Sequence, residues 1–90
     1  MAAKVCCGNT IKMLRNERDI SLEMMVWDIN NKFADELDKP LNKSMVSRWE
    51  NNVNDPSLRQ AIILTKYFNV SLDYLIGLTD KRTPAHLKNK

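Results

Sequence analysis

Short polar residues punctuate this chain, each directly ahead of an apolar run with helical spacing: Asn9 or Thr10, Ser21, Asn42, Ser57 and Ser71. Their side-chain oxygens suit the free N–H groups that open a helix. A chain interrupted so often can build only short helices, and the runs between interruptions set their inner faces. Ile11 and Leu14 predict a first helix over about 10–18, ended by the polar run Asn16-Glu17-Arg18-Asp19, after which Ile20 drops into the core. Ser21 with Glu23 opens a second helix. Its stripe Leu22, Met25, Val26, Ile29, Phe33 and Leu37 keeps a helical period for about four turns, with Asn30-Asn31 as the place for a bend or break. Trp27 falls off that stripe and is expected to cover the first helix or the domain edge, the other reading being an exposed contact for a partner subunit. Pro40 stops this helix. A third helix follows over 43–50, a fourth over 58–68 with Leu58, Ala61, Ile62, Thr65 and Phe68 inward, and a fifth over 72–76 closed by Gly77.

No strand pattern and no internal repeat interrupts this series. With two Gly, three Pro and a hydrophobic share of 43% in 90 residues, the expectation is one compact all-α domain over 10–78. Residues 1–9 read as a flexible arm, and 79–90 as a flexible basic tail or linker. No apolar run approaches a membrane span, and no apolar stretch follows Lys4 as in a signal peptide, so a cytoplasmic location is expected. Cys6 and Cys7 are too close for a strain-free disulfide and, with His86 far away, do not make a metal site; reduced thiols are expected. There is no nucleophile–base constellation and no Gly-rich phosphate loop, so neither an enzyme nor a cofactor is implied.

Charge singles out the third helix. Residues 1–78 hold ten bases and ten acids, yet Lys39 to Trp49 contain three bases and no acid. Val46 and Trp49 share one face. Lys43, Ser44, Ser47 and Arg48 share the other, which carries two cations, two small hydroxyls and no acid. Such a face fits a DNA major groove, where Arg reaches the O6 and N7 acceptors of guanine with two parallel donors.

At this point the chain resembles the lambda-repressor-like, Cro/XRE-type helix-turn-helix proteins. The resemblance covers about residues 11–78 and rests on four places: Ile11 to Arg15; Ser21 to Val26; Val46-Ser47-Arg48-Trp49-Glu50-Asn51; and Pro56-Ser57-Leu58 through Phe68-Asn69-Val70-Ser71-Leu72-Asp73-Tyr74-Leu75. It implies that Lys43, Ser44, Ser47 and Arg48 face base edges. It implies phosphate contacts from Ser21, Asn42, Asn51 and Asn52, and an internal salt bridge between Arg15 and Glu50. Three departures stand out. Leu22 replaces a polar residue, Asn52 replaces the glycine expected after Glu50-Asn51, and the span from Met25 to Glu50 is about ten residues longer than usual. That last feature resembles the phage-repressor subset with an extended second helix, and brings in Lys39 as a phosphate contact.

The function implied is a sequence-specific double-stranded DNA-binding regulator, a phage or prophage repressor or its N-terminal domain, binding palindromic operator half-sites as a homodimer. The contrary reading is a protein-interaction module of the same fold, an antirepressor or toxin partner, that has lost DNA reading.

Overall fold

The computed structural model describes residues 8–78 and Arg82. It is all-α, with α1 Gly8–Glu17, α2 Leu22–Lys32, α3 Lys43–Glu50, α4 Leu58–Phe68 and α5 Leu72–Leu75, and no strand among the described residues. The capping logic acts at four helices. Ser21 accepts from the Met24 amide at 3.0 Å, Asn42 from Met45 at 2.8 Å, Ser57 from Gln60 at 3.1 Å and Ser71 from Tyr74 at 3.0 Å. At α4 the Gln60 side chain also accepts from the Ser57 amide, so two orphan donors are satisfied reciprocally.

α1 begins at Gly8, so Gly8 and Asn9 belong to the helix and not to an arm; residues 1–7, with Cys6 and Cys7, lie outside the described residues. Gly8 is buried against the end of α3. A β-carbon there would collide with the carbonyl oxygens of Trp49 and Glu50 and the side chain of Asn52. The bare Cα is what lets the first turn of α1 lie on that helix end.

α2 is shorter than its periodicity suggests. It ends at Lys32, not near Leu37, so the additional length before α3 falls in the connection of residues 33–42. Two asparagines explain the stop. The Asn31 amide bonds the Trp27 carbonyl of its own helix at 2.7 Å. Asn30 clamps the returning chain, accepting from the Leu41 amide at 2.7 Å and donating to the Leu41 carbonyl at 2.9 Å. A single turn then closes, with the amides of Glu36 and Leu37 both bonded to the Phe33 carbonyl. That turn preserves the four-residue offset between Phe33 and Leu37, and both still pack against the core. The stripe is therefore satisfied without a continuous helix.

α4 is rotated from its predicted phase. Ala61, Ile63, Leu64, Tyr67 and Phe68 face inward, whereas Leu58 and Ile62 are 69% and 40% exposed. The run Ala61-Ile62-Ile63-Leu64 is apolar on every side, so spacing alone cannot choose its buried face. Trp27 likewise departs from expectation. It is 62% exposed, as in the other reading of it as an exposed side chain.

The core gathers Ile11 and Leu14 of α1, Met25 and Ile29 of α2, Val46 and Trp49 of α3, the inner face of α4, and Leu41, Val70 and Leu75. Asp28 accepts from the Tyr67 hydroxyl at 2.8 Å, joining α2 to α4. Burial, together with that bond, pushes the Tyr67 phenol up to about 12. Arg82 grips Glu17 with two bonds of 2.7 Å, lies over the Tyr74 ring and accepts from the Ser71 amide through its carbonyl. Its guanidinium holds the Glu17 carboxyl below the usual range. The remaining residues of the 79–90 stretch, His86 included, lie outside the described residues.

Candidate nucleic-acid interface

α3 is held from behind by three elements. Val46 and Trp49 are sealed in the core. Glu50 is buried too, and its carboxylate would be costly there without a partner. Arg15 of α1 supplies one: Nε donates to Oε2 at 2.7 Å and Nη2 to Oε1 at 2.9 Å. The third donor, Nη1, reaches the Ile20 carbonyl at 2.9 Å, so the guanidinium ties α3 to both α1 and the turn that leaves it. The bonded Glu50 carboxylate raises the Arg15 pKa above its ordinary value. This pairing also keeps the only acid of α3 off its outer surface.

Beyond Glu50 the chain turns by a Schellman motif. The Asn52 amide bonds the Trp49 carbonyl at 3.1 Å and the Val53 amide bonds the Arg48 carbonyl at 2.9 Å. Asn52 takes the left-handed conformation this motif needs, with φ of 61°. An asparagine thus performs the turn that the resemblance assigns to glycine, because its short polar side chain tolerates that region.

The outer face of α3 presents Lys43, Ser44 and Arg48 in the open, with Ser47 half-buried between them. Glu50 is absent from it, as are the apolar side chains. The Arg48 guanidinium has no partner among the described residues, so its donors are available. Lys43 is different. Glu23 of α2 stands 3.6 Å from its ammonium, both side chains being well exposed. The face is thus acid-free along the chain but not in space. No one-dimensional pattern signals this, because Glu23 is twenty residues away and reads simply as a first-turn acid.

The residues around this face divide by how much hydrogen-bonding capacity they keep. Ser21 and Asn42 use an oxygen as a cap and retain a hydroxyl proton and an amide group, respectively, as donors. Asn51 turns back on α3, its amide bonded to the Ser47 carbonyl at 2.8 Å. Asn52 is exposed beside it. Lys39 stands in the 33–42 connection and shares a groove of about 290 Å³ with Met45, Ser57, Arg59 and Gln60. It therefore lies on the α4 flank of α3, whereas Glu23 and Ser21 lie on the α2 flank. Among the described residues no His, Cys, Asp and Glu group could hold a metal ion, and no helix is long and apolar enough to cross a membrane.

Residues 11–75 match the model of a family described as helix-turn-helix. No curated protein and no solved structure matches the chain.

Proposed function

Since the chain belongs to the Cro/C1-type helix-turn-helix family of DNA-binding regulators, we propose that it is a sequence-specific transcriptional regulator of the phage or prophage repressor kind, or the N-terminal domain of one. The observation that carries this reading is the outer face of α3, where Lys43, Ser44, Ser47 and Arg48 stand together while every apolar and acidic side chain of the helix except Met45 is buried. Placed in the major groove, Arg48 gives paired donors to guanine, Lys43 a single cationic donor, and the two serines short hydroxyls that suit either base edges or phosphates.

Phosphates hold that register. Ser21 and the free amides opening α2 bind one strand, with Asn42 at the start of α3 beside them. Asn51 and Asn52 bind the backbone past the far end of α3. Lys39 adds a contact from the enlarged connection. The Lys43–Glu23 pair is weak at such exposure, at most about 1 kcal/mol, so the lysine exchanges its carboxylate for DNA at little cost.

Selection of bound sequences from a random duplex pool, followed by fluorescence-anisotropy titration of the selected site, tests the reading. A recovered palindrome, bound about 10- to 100-fold more weakly by Arg48→Ala with relaxed preference at one base pair, is the expected result. Lys39→Ala should weaken all sequences alike and reduce the salt slope by about one. Binding without a preferred site, unchanged by Arg48→Ala and Lys43→Ala, would instead favour an interaction module that binds protein.

A further inference from the structure

α3 is fastened differently at its two ends. Its last turn is fixed by the Arg15–Glu50 pair, by Trp49 in the core and by Gly8 lying against the final carbonyls. Its first turn carries the exposed Lys43 and Ser44 and follows the 33–42 connection. Asn30 of α2, half-buried, holds that end. It accepts from the Leu41 amide at 2.7 Å and donates to the Leu41 carbonyl at 2.9 Å, gripping both backbone groups of one residue as a neighbouring strand would. Leu41 is buried and directly precedes Asn42. The Asn42 side chain caps α3 at the Met45 amide, and its carbonyl takes the Val46 amide. The exposed Glu23–Lys43 contact adds little hold at this end.

We propose that Asn30 is a positioning residue for DNA reading, whose grip on Leu41 sets the angle at which the first turn of α3 enters the major groove; this step rests on the DNA-reading role of α3 given above. A connection as long as 33–42 does not by itself fix where the next helix begins, so a side chain does it. The lever is sensitive. The eight residues of α3 span about 12 Å, so with the last turn held a tilt of about 5° moves Lys43 by about 1 Å, enough to break a base-edge hydrogen bond. Arg48, next to the fixed end, moves far less. Residues in the first turn of a recognition helix are the ones set against base edges, so Lys43 and Ser44 depend on Asn30 most.

The base pairs read by Lys43, Ser44 and Arg48 are first located from their alanine variants, by selection from a random duplex pool. Asn30→Ala should then bind the parent's site about 10-fold or more weakly. Its preference should relax at the Lys43 and Ser44 base pairs and hold at the Arg48 base pair, with non-specific affinity and salt slope unchanged. Asn30→Asp keeps the acceptor for the Leu41 amide and removes the donor to the carbonyl. It should show the same split to a smaller degree, and stands in if the alanine variant does not fold. Two glycines inserted between Asp38 and Lys39 should leave base preferences as they are. Relaxation spread evenly over all base pairs in the Asn30 variants, or relaxation at the Lys43 and Ser44 base pairs from the insertion, would overturn the proposal. Hydrogen exchange without DNA separates its failure from that of the DNA-reading role. In Asn30→Ala the Met45 and Val46 amides should exchange at least about 10-fold faster, and the Asn51 amide as in the parent. Unchanged protection at Met45 and Val46 counts against Asn30 alone, whether or not an operator is found.

Discussion

The two faces of α3 differ in almost every physical respect. Inward, Arg15 meets Glu50 at 2.7 Å with side chains only 13% and 5% exposed, alongside buried Val46 and Trp49. Outward, Lys43 meets Glu23 at 3.6 Å with side chains 61% and 77% exposed. The inner pair is short, bidentate and shielded, and its partners cannot exchange it for water without exposing the core. The outer pair is long and screened by solvent. One face is built to stay, the other to be given up. The same contrast recurs on α2, which reaches α4 through the shielded Asp28–Tyr67 bond and α3 through the exposed Glu23–Lys43 contact.

The contrast can be broken most severely from inside. Trp49→Ala should cost about 3–5 kcal/mol, read as a shift of the urea midpoint, and DNA binding should disappear with the fold. Glu50→Gln, which leaves Arg15 without its carboxylate in a shielded site, should cost about 1.5–3 kcal/mol. A double change, Arg15→Met with Glu50→Leu, should recover much of that loss in the same denaturation assay; failure to recover would mean that the pair contributes more than the filled volume. On the outer face Arg48→Ala should reverse the pattern, leaving thermal stability within about 0.5 kcal/mol while weakening the cognate site by about 1–3 kcal/mol.

Tyr67→Phe should cost about 1 kcal/mol and change the alkaline limb. The folded-state phenol is raised to about 12, above its ordinary value of about 10. The folded chain therefore holds that proton more tightly than the unfolded one, and the associated stability is complete below pH 10 and lost as pH rises towards 12. The phenylalanine variant should lack this fall between pH 10 and 12 in thermal melts. The smallest effect is expected from Glu23→Gln. Stability should barely move, and DNA affinity at low salt should rise by less than about 1 kcal/mol as Lys43 is freed. A fall in affinity would show that the carboxylate positions the lysine and does not merely occupy it.

Much of the architecture was legible along the chain. A cap needs only a residue of the right type three positions before an amide, so Ser21, Asn42, Ser57 and Ser71 announce their helices locally. Val46 and Trp49 could be assigned inward because Lys43, Ser44, Ser47 and Arg48 define a polar outside on the opposite face of α3. α4 offers no such contrast: an unbroken Ala61-Ile62-Ile63-Leu64 run leaves its rotation open, so Ala61 and Phe68 are buried as expected while Leu58 and Ile62 are exposed and Ile63, Leu64 and Tyr67 take the inner face. The stripe ending in Phe33 and Leu37 misled for a related reason. A four-residue offset is kept by one isolated turn as well as by a helix, and nothing local records that Asn30 is taken up by Leu41.

Sequence alone, then, determined the helices that caps and mixed polarity define, and the identity of the side chains gathered on the outer face of α3. Tertiary structure decided how far α2 runs, which side of α4 is buried, that Gly8 must lack a side chain beneath Trp49 and Glu50, and that Glu23 comes to rest beside Lys43. The division has one physical cause. Capping and amphipathic spacing act within a turn or two of helix, whereas helix rotation, close backbone approach and through-space charge pairing depend on neighbours that only the packed chain supplies.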